Sequence, residues 1–327
     1  MASIGKYRDG YRAQVFVGGR RASRVFRTKR EAVAWAAAQE ETLGKPSAER
    51  HTVADMLYRY LLEITPRKRN KANEAKMIRA WMRREPDLCA MRLANIDTPH
   101  LAAWRDRRRA AVSDGTVLRD INWLRHAFNV ARKEWRWIER SPFEGLTMPS
   151  DNAPRTRVWA PGEVRKVTRA LGYVTGRAPA TKSQEVALIL LLSLRTAMRT
   201  GEILTLGRDN VDLVRGVATV EHKMQYKTKA RRRVPLSRHA IRLLRPLAAR
   251  ERIFTISPRS LDTLFRKTRD RLMLDDLHLH DARATALTYM ARRVPVEDLA
   301  KISGHADVAL LVRVYYRATA EDIAKLL

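Results

Sequence analysis

Arg199, His280, Arg283, His305 and Tyr315 are the residues of this chain whose types and order could act on a phosphate. Arg199 lies in Thr196-Ala197-Met198-Arg199-Thr200-Gly201-Glu202-Ile203-Leu204. His280 and Arg283 lie in His280-Asp281-Ala282-Arg283, and His305 in Ser303-Gly304-His305, with Tyr315 ten positions later. A phosphodiester resists attack because its non-bridging oxygens repel a nucleophile and gain charge in the transition state. A guanidinium offers those oxygens two parallel donors and stays charged at any working pH. One preorganised donor of this kind is worth about 2.7–4 kcal/mol of transition-state stabilisation. Two arginines would neutralise the phosphate, histidines would supply hydrogen bonds and protons, and a phenol would attack. A free phenol has a pKa near ~10, which neighbouring guanidiniums should lower. Small residues around Arg199 let a phosphate approach, and Glu202, three positions on, could orient Arg199 from the same helix face. The spacing of His280 and Arg283 likewise predicts one shared helix face. Taken singly, each of these residues also reads as an ordinary surface arginine, structural histidine or core tyrosine.

Composition narrows the partner. The 327 residues carry 65 Lys+Arg against 35 Asp+Glu, a formal charge of +30. A charge that large concerns partners more than fold, and it favours a polyanion such as DNA or RNA. Cys89 is the single cysteine, so an intrachain disulfide and a cysteine-based zinc site are excluded, and a small core filler is expected. Val186 to Leu194 is apolar but too short to cross a bilayer, and Arg195 closes it. No apolar signal-like core opens the chain, so a soluble, cytoplasmic protein is expected.

The elements that must position these residues fall into three segments. Residues 1–44 read as a small sheet plus a helix. Tyr11, Ala13, Val15 and Val17 alternate with Arg12, Gln14 and Phe16, Gly18-Gly19 signals a hairpin, and Arg20 to Phe26 forms the returning strand. Thr28 with Glu31 is a capping box opening a helix over Ala32 to Leu43. The sheet face away from the helix would carry Arg12, Gln14 and either Arg21 or Arg24. A basic ribbon fits a major groove, and a solvated sheet face fits the same pattern.

Gly44-Lys45-Pro46-Ser47 reads as a linker, and residues 51–148 as helices. The helices are expected over His51 to Ile64, Asn73 to Arg84, His100 to Ala111 (capped by Thr98, with Pro99 first in the helix) and Thr116 to Trp137. Basic residues interleave with the apolar stripes: Arg67, Lys68 and Arg69, Arg83-Arg84, Arg105, Arg107 to Arg109, and Arg132-Lys133. Such one-signed charge repels itself unless an anion neutralises it, so Arg67, Lys68, Arg69, Arg105, Arg108 and Arg132 are candidate DNA contacts. Asp151 to Arg157 reads as an interdomain linker. Residues 158–327 read as mostly helical, with a strand-rich insert from Val217 to Leu236 and a short capped helix at Thr319 to Leu327.

Thr-x-Met-Arg-x-Gly-Glu-Ile-Leu around Arg199, the His280-to-Arg283 box, the Gly304-His305 pair and Tyr315 together resemble the tyrosine recombinases, or phage-integrase family. Residues 51–327 carry the resemblance, and residues 1–44 resemble, less specifically, the arm-type-site binding domains of phage and mobile-element integrases. Ala284 stands where many relatives have a second histidine, Ala282 where leucine is common, and Ser303 where leucine is common. The implied fold is multidomain and mainly α: a small β-sheet plus helix, a helical core-binding domain, and a mixed, mostly helical catalytic domain.

The resemblance implies a site-specific recombinase that cleaves and rejoins duplex DNA through a 3′-phosphotyrosyl link. Arg199 and Arg283 would clamp the phosphate, His280 and His305 would hydrogen-bond it, and Tyr315 would attack. Tyr316 stays open as nucleophile. Counting back from Val234-Pro235-Leu236 puts the general acid at Lys227, with Lys229 and Lys223 as fallbacks; such an acid typically contributes ~10²–10⁴-fold. No metal, cofactor or ATP is implied. The implied partners are attachment-site DNA, three further protomers in a tetramer, DNA-bending accessory proteins and an excision factor. The sheet domain favours integration and excision of a mobile element over a chromosome-dimer resolvase. A non-catalytic DNA-binding regulator and a type IB topoisomerase are the competing readings.

Overall fold

The structure is a computed structural model that describes residues 2–44, 46–150, 155, 157–221 and 231–316. It is mainly helical with two small antiparallel sheets, and it divides into Met1–Ala153 and Pro154–Leu327.

The first unit opens with three strands, β1 (Ala2–Tyr7), β2 (Gly10–Val17) and β3 (Arg20–Phe26), paired in that order. Gly18 and Gly19 both have positive φ (57° and 77°), as a tight two-residue turn between right-twisted strands requires. Helix α1 (Lys29–Gly44) is opened by reciprocal bonds between Thr28 and Glu31, each 3.2 Å. It packs Ala32 and Ala36 on Ala13 and Val15. The register pairs Arg12 with Val25, Gln14 with Ser23 and Phe16 with Arg21. Opposed residues share a face, so Arg21 lies with Arg12 and Gln14 away from α1. Arg24 pairs with Ala13 on the α1 face, with its guanidinium carbon 5.3 Å from the Phe26 ring centre.

Helices follow: α2 (Ser47–Arg50), α3 (Val53–Glu63), α4 (Lys71–Arg84), α5 (Pro86–Ala90), α6 (Thr98–Ala111) and α7 (Asp114–Lys133). Their apolar stripes share one core, with Val53, Met56, Leu57 and Tyr60 meeting Ile78, Leu101, Ile121, Leu124 and Phe128. Trp81 meets Trp104 and Trp123 edge-on, each at 5.9 Å. Cys89 is buried in this core.

Several expected boundaries shift by a few residues, among them α4, which starts at Lys71, and α7, which starts at Asp114; three others have local reasons. Helix α3 starts after Thr52, which forms a capping box with Asp55. Asp97, not Thr98, caps α6, accepting from the His100 amide, while the Thr98 hydroxyl lies 3.0 Å from the carbonyls of Pro142 and Glu144. Helix α7 stops at Lys133 rather than Trp137, and Arg136 turns the chain through a left-handed conformation (φ 55°).

The second unit contains α8 (Pro161–Ala170), α9 (Lys182–Thr196), α10 (Thr200–Ile203), the sheet β4 (Val211–Asp212), β5 (Val217–Glu221) and β6 (Arg231–Pro235), then α11 (Arg238–Leu244), α12 (Pro258–Arg271), α13 (Asp281–Ala291), α14 (Val296–Ser303) and α15 (Val308–Tyr315). Helix α9 buries Val186 to Leu190 consecutively, because helices pack around it on several sides. A smaller core joins Ala197 to Ala286, Leu287 and Leu299, with Tyr315 and Tyr316 packed against it. That core holds α13, α14 and α15 beside the end of α9. The expected helix at Thr319 to Leu327 lies outside the described residues. Among the described residues no helix is long and apolar enough to cross a membrane.

Candidate active site

Helix α9 ends on a sharp turn. Ala197 adopts a left-handed conformation (φ 54°), and the Thr196 hydroxyl turns back to the Leu192 carbonyl at 2.7 Å. The chain then re-enters helix at α10, with Arg199 at its N-cap, half-buried and outside the helix proper. Glu202 therefore orients Arg199 across a cap rather than along a helix face. One carboxylate oxygen accepts from the Arg199 amide at 2.8 Å, and the other accepts from Arg199 Nη1 at 2.9 Å. Arg199 Nη2 reaches the Gly304 carbonyl at 3.5 Å.

Arg283 is buried in the first turn of α13. Its Nη1 donates to the Ala197 carbonyl and its Nη2 to the Ser303 carbonyl at 2.7 Å. One guanidinium thus ties the turn after α9 to the end of α14. Burial first, and Arg199 second, weaken its hold on the proton, down to about 9, so it remains charged at neutral pH. His280 is the N-cap of α13 and not part of the helix. Burial, then Arg283, pulls its pKa below the usual imidazole range.

Gly304 ends α14 in a left-handed turn (φ 69°), which delivers His305 beside Ser303. The Ser303 hydroxyl and His305 Nδ1 are 2.7 Å apart. Burial and three guanidiniums, of Arg283, Arg199 and Arg232, push His305 down to about 4. It is a neutral imidazole at pH 7.

Tyr315 closes α15, its ring centre 6.4 Å from that of His305. The expected lowering of its pKa is not what the site does. Burial raises it, and the Arg283 charge offsets only part of that rise. Tyr316 sends its hydroxyl 2.5 Å to the Val294 carbonyl, and burial with Glu297 and Asp298 raises its pKa too.

Arg232 is the group in this site that spacing alone misses. It is buried on β6, donating from Nη1 to the Ile302 carbonyl and from Nη2 to Glu202. Its Nε has no hydrogen-bond partner among the described residues. The signal was in the strand: Arg232 alternates in phase with core-facing Val234, while Arg231 and Arg233 point outward. Lys227, with Lys223 and Lys229, lies outside the described residues. Among the described residues there is no group of three or more His, Cys, Asp or Glu that could hold a metal ion.

The candidate DNA contacts are placed less uniformly. Arg12 stacks on Tyr7 at 4.1 Å on the outer sheet face, Gln14 is half-buried beside it, and Arg21 is exposed there. Arg67 and Arg69 are exposed. Lys68 instead bonds Tyr60 Oη at 2.5 Å and Glu74 at 2.7 Å. Arg105 bonds Asp106 and the Thr147 carbonyl, Arg108 bonds Asp120 at 3.1 Å, and Arg132 lies 3.4 Å from Glu144. Those four charges are at least partly balanced within the protein.

Residues 165–322 match the Phage integrase family. A putative integrase/recombinase of Haemophilus influenzae is 34% identical over 337 residues, covering 99% of this chain and 89% of that protein. Among solved structures, the Tn1549 transposon integrase in complex with a circular intermediate DNA superposes with a TM-score of 0.66 at 15% identity, over 84% of this chain and 98% of that one. A lambda integrase dimer bound to a COC′ core site gives 0.64 at 18% identity, over 96% and 94%. At those identities the superpositions establish the fold, while the sequence match to the Haemophilus protein establishes descent. The chain belongs to the phage integrase family, the tyrosine site-specific recombinases.

Proposed function

We propose that this recombinase cleaves and rejoins duplex DNA through a covalent 3′-phosphotyrosyl link, to integrate or excise a mobile element. The observation that carries the reading is the Arg283 guanidinium. It bridges the turn before Arg199 and the turn before His305, with Tyr315 beside His305. Two fixed cations, two neutral imidazoles and a phenol thereby share one small volume.

The chemistry follows from those groups. Arg199 and Arg283 bind the scissile phosphate and neutralise the charge that grows on its oxygens. His280 and His305 donate hydrogen bonds to the same oxygens. The Tyr315 phenol, protonated in the free protein, passes its proton to the His280 imidazole as its oxygen bonds to phosphorus. The bond from phosphorus to the 5′ oxygen breaks, and Lys227 protonates that leaving oxygen. In the second half, a partner strand's 5′-hydroxyl gives its proton to Lys227 as its oxygen attacks phosphorus, and the bond from phosphorus to Tyr315 breaks as the phenol takes its proton back from His280. One phosphodiester is exchanged for another, so no external energy source enters.

The +30 charge supports a DNA partner, with Arg12, Gln14 and Arg21 facing a groove and Arg67 and Arg69 touching phosphates. The separate cores of the N-terminal sheet, the helices after it and the C-terminal unit support a division into 1–44, 51–148 and 158–327. Strand exchange would use four protomers on paired sites in the bacterial cytoplasm.

The test is incubation with a nicked half-site duplex from the ends of the encoding element. A covalent adduct mapped by peptide mass to Tyr315 is expected. A protein that binds the duplex without ever forming an adduct would be a regulator. One that relaxes plasmid lacking any such site would be a topoisomerase.

A further inference from the structure

The segment just past the boundary between the two units is laced to the loop that carries His280. Arg155 sends Nε and Nη2 to the two carboxylate oxygens of Asp281, at 3.1 and 3.0 Å. The same guanidinium reaches Asp276 twice, Nη1 to its carboxylate at 2.8 Å and Nη2 to its carbonyl at 2.8 Å. Four residues on, the Trp159 amide donates to the Thr285 hydroxyl at 2.9 Å and its indole N–H to the His278 carbonyl at 3.3 Å. Asp281 is 3% exposed, and it also accepts from the His278 amide at 2.9 Å.

That loop needs holding. His280 precedes α13; its carbonyl accepts from the Arg283 amide at 3.1 Å, but its side chain makes no capping hydrogen bond, so the imidazole's placement rests on the loop. Met273 and Asp276 both sit at φ 52°, a left-handed conformation that side chains other than glycine seldom adopt. Arg155 holds one of these two residues and the neighbour of His280 in a single planar fork. A bidentate guanidinium constrains orientation as well as distance.

We infer that Arg155 is a positioning residue for His280 and Arg283: by gripping Asp276 and Asp281 it sets where the first turn of α13 presents them to the scissile phosphate. This rests on the reading of His280 and Arg283 as phosphate ligands. It adds that the opening segment of the second unit controls their placement.

The experiment uses the full chain with Arg155→Gln and Arg155→Lys. Three quantities are read: adduct formation on the nicked half-site, affinity for the same duplex, and the His280 imidazole resonances, assigned by difference against His280→Gln. Misplacement of a positioned group by about 1 Å can cost about 10²-fold. Arg155→Gln should therefore slow adduct formation by about that factor, leave duplex affinity unchanged and shift the His280 resonances. Arg155→Lys should recover part of the rate, since a point charge cannot span both carboxylates. Adduct formation at the wild-type rate, a rate loss fully matched by lost affinity, or unmoved His280 resonances would each overturn the assignment. If Arg155→Gln does not fold, Asp276→Asn removes one exposed partner of the same fork and is read identically. If the wild-type protein forms no adduct, the phosphotyrosyl reading fails by itself. The His280 resonances then decide the role of Arg155, upholding it if they shift and ending it if they do not.

Discussion

Ser303 Oγ lies 2.7 Å from His305 Nδ1, and Ser303 is fully buried. The Ser303 hydroxyl also lies 3.4 Å from the Ala300 carbonyl, a much longer contact, so the serine proton is best used on the imidazole. Nδ1 then accepts, and the remaining ring proton sits on Nε2, the arrangement that donates to a phosphate oxygen. Ser303→Ala should remove that tautomer preference. A net hydrogen bond of about 0.5–1.5 kcal/mol corresponds to about a two- to tenfold slower adduct formation. Imidazole ¹⁵N shifts should show a mixture of tautomers at His305; a spectrum identical to wild type would mean the serine has no such role.

Glu202 is the anion on which two site arginines depend. It accepts from the Arg199 amide and side chain and from Arg232 Nη2, and it is 8% exposed. Removing one partner of a buried charge pair typically costs about 3–5 kcal/mol, because the remaining charges are left uncompensated. Glu202→Ala should lose stability of that order in urea titration, and its adduct formation should fall with it. Combining Glu202→Gln with Arg232→Met should cost less than the two changes summed, since the second relieves the cation that the first strands. Strict additivity would show that the two residues do not share a network.

What the residues disclosed in advance was mostly local. The alternation in β2 and the Thr28–Glu31 box concern neighbours in the chain, and both form as expected. The boxes around Arg199, His280, Arg283 and His305 were legible for the same reason: each is a short run. Choices between equally suitable neighbours were not legible. Asp97 and Thr98 can both cap a helix, and only the distant carbonyls of Pro142 and Glu144 account for the threonine hydroxyl. Arg21 and Arg24 differ by the parity of a register that pairing sets. Tyr315 shows the limit for electrostatics. Its cationic neighbour could be guessed from spacing, but the burial that outweighs it is a property of the packed core.

His305 and His280 should make the fold acid-sensitive. Both imidazoles have folded pKa values below the unfolded value of about 6.5, His305 at about 4. Below pH 6.5 the unfolded chain takes up protons at these positions that the folded protein refuses, so stability falls as pH drops from about 6.5 toward about 4. Urea midpoints measured across that window should decline with acidity. His305→Asn should flatten the decline, because asparagine keeps a hydrogen-bonding side chain but does not titrate. An equally steep profile in the variant would assign the acid sensitivity elsewhere.

Tyr315 and Tyr316 are adjacent aromatics that the structure treats differently. Tyr316 commits its hydroxyl to the Val294 carbonyl, and the negative charges of Glu297 and Asp298 disfavour its phenolate. Tyr315 packs beside His305, and Arg283 draws its pKa back down against burial. An attacking phenol must develop negative charge, so the residue facing the guanidinium is the better nucleophile. Tyr315→Phe should bind the half-site at wild-type affinity and form no adduct. Tyr316→Phe should form it at a near-normal rate, losing about 1 kcal/mol of stability with its hydrogen bond. The reverse pattern, with the adduct lost only in Tyr316→Phe, would move the nucleophile to Tyr316, whose hydroxyl would first have to leave the Val294 carbonyl.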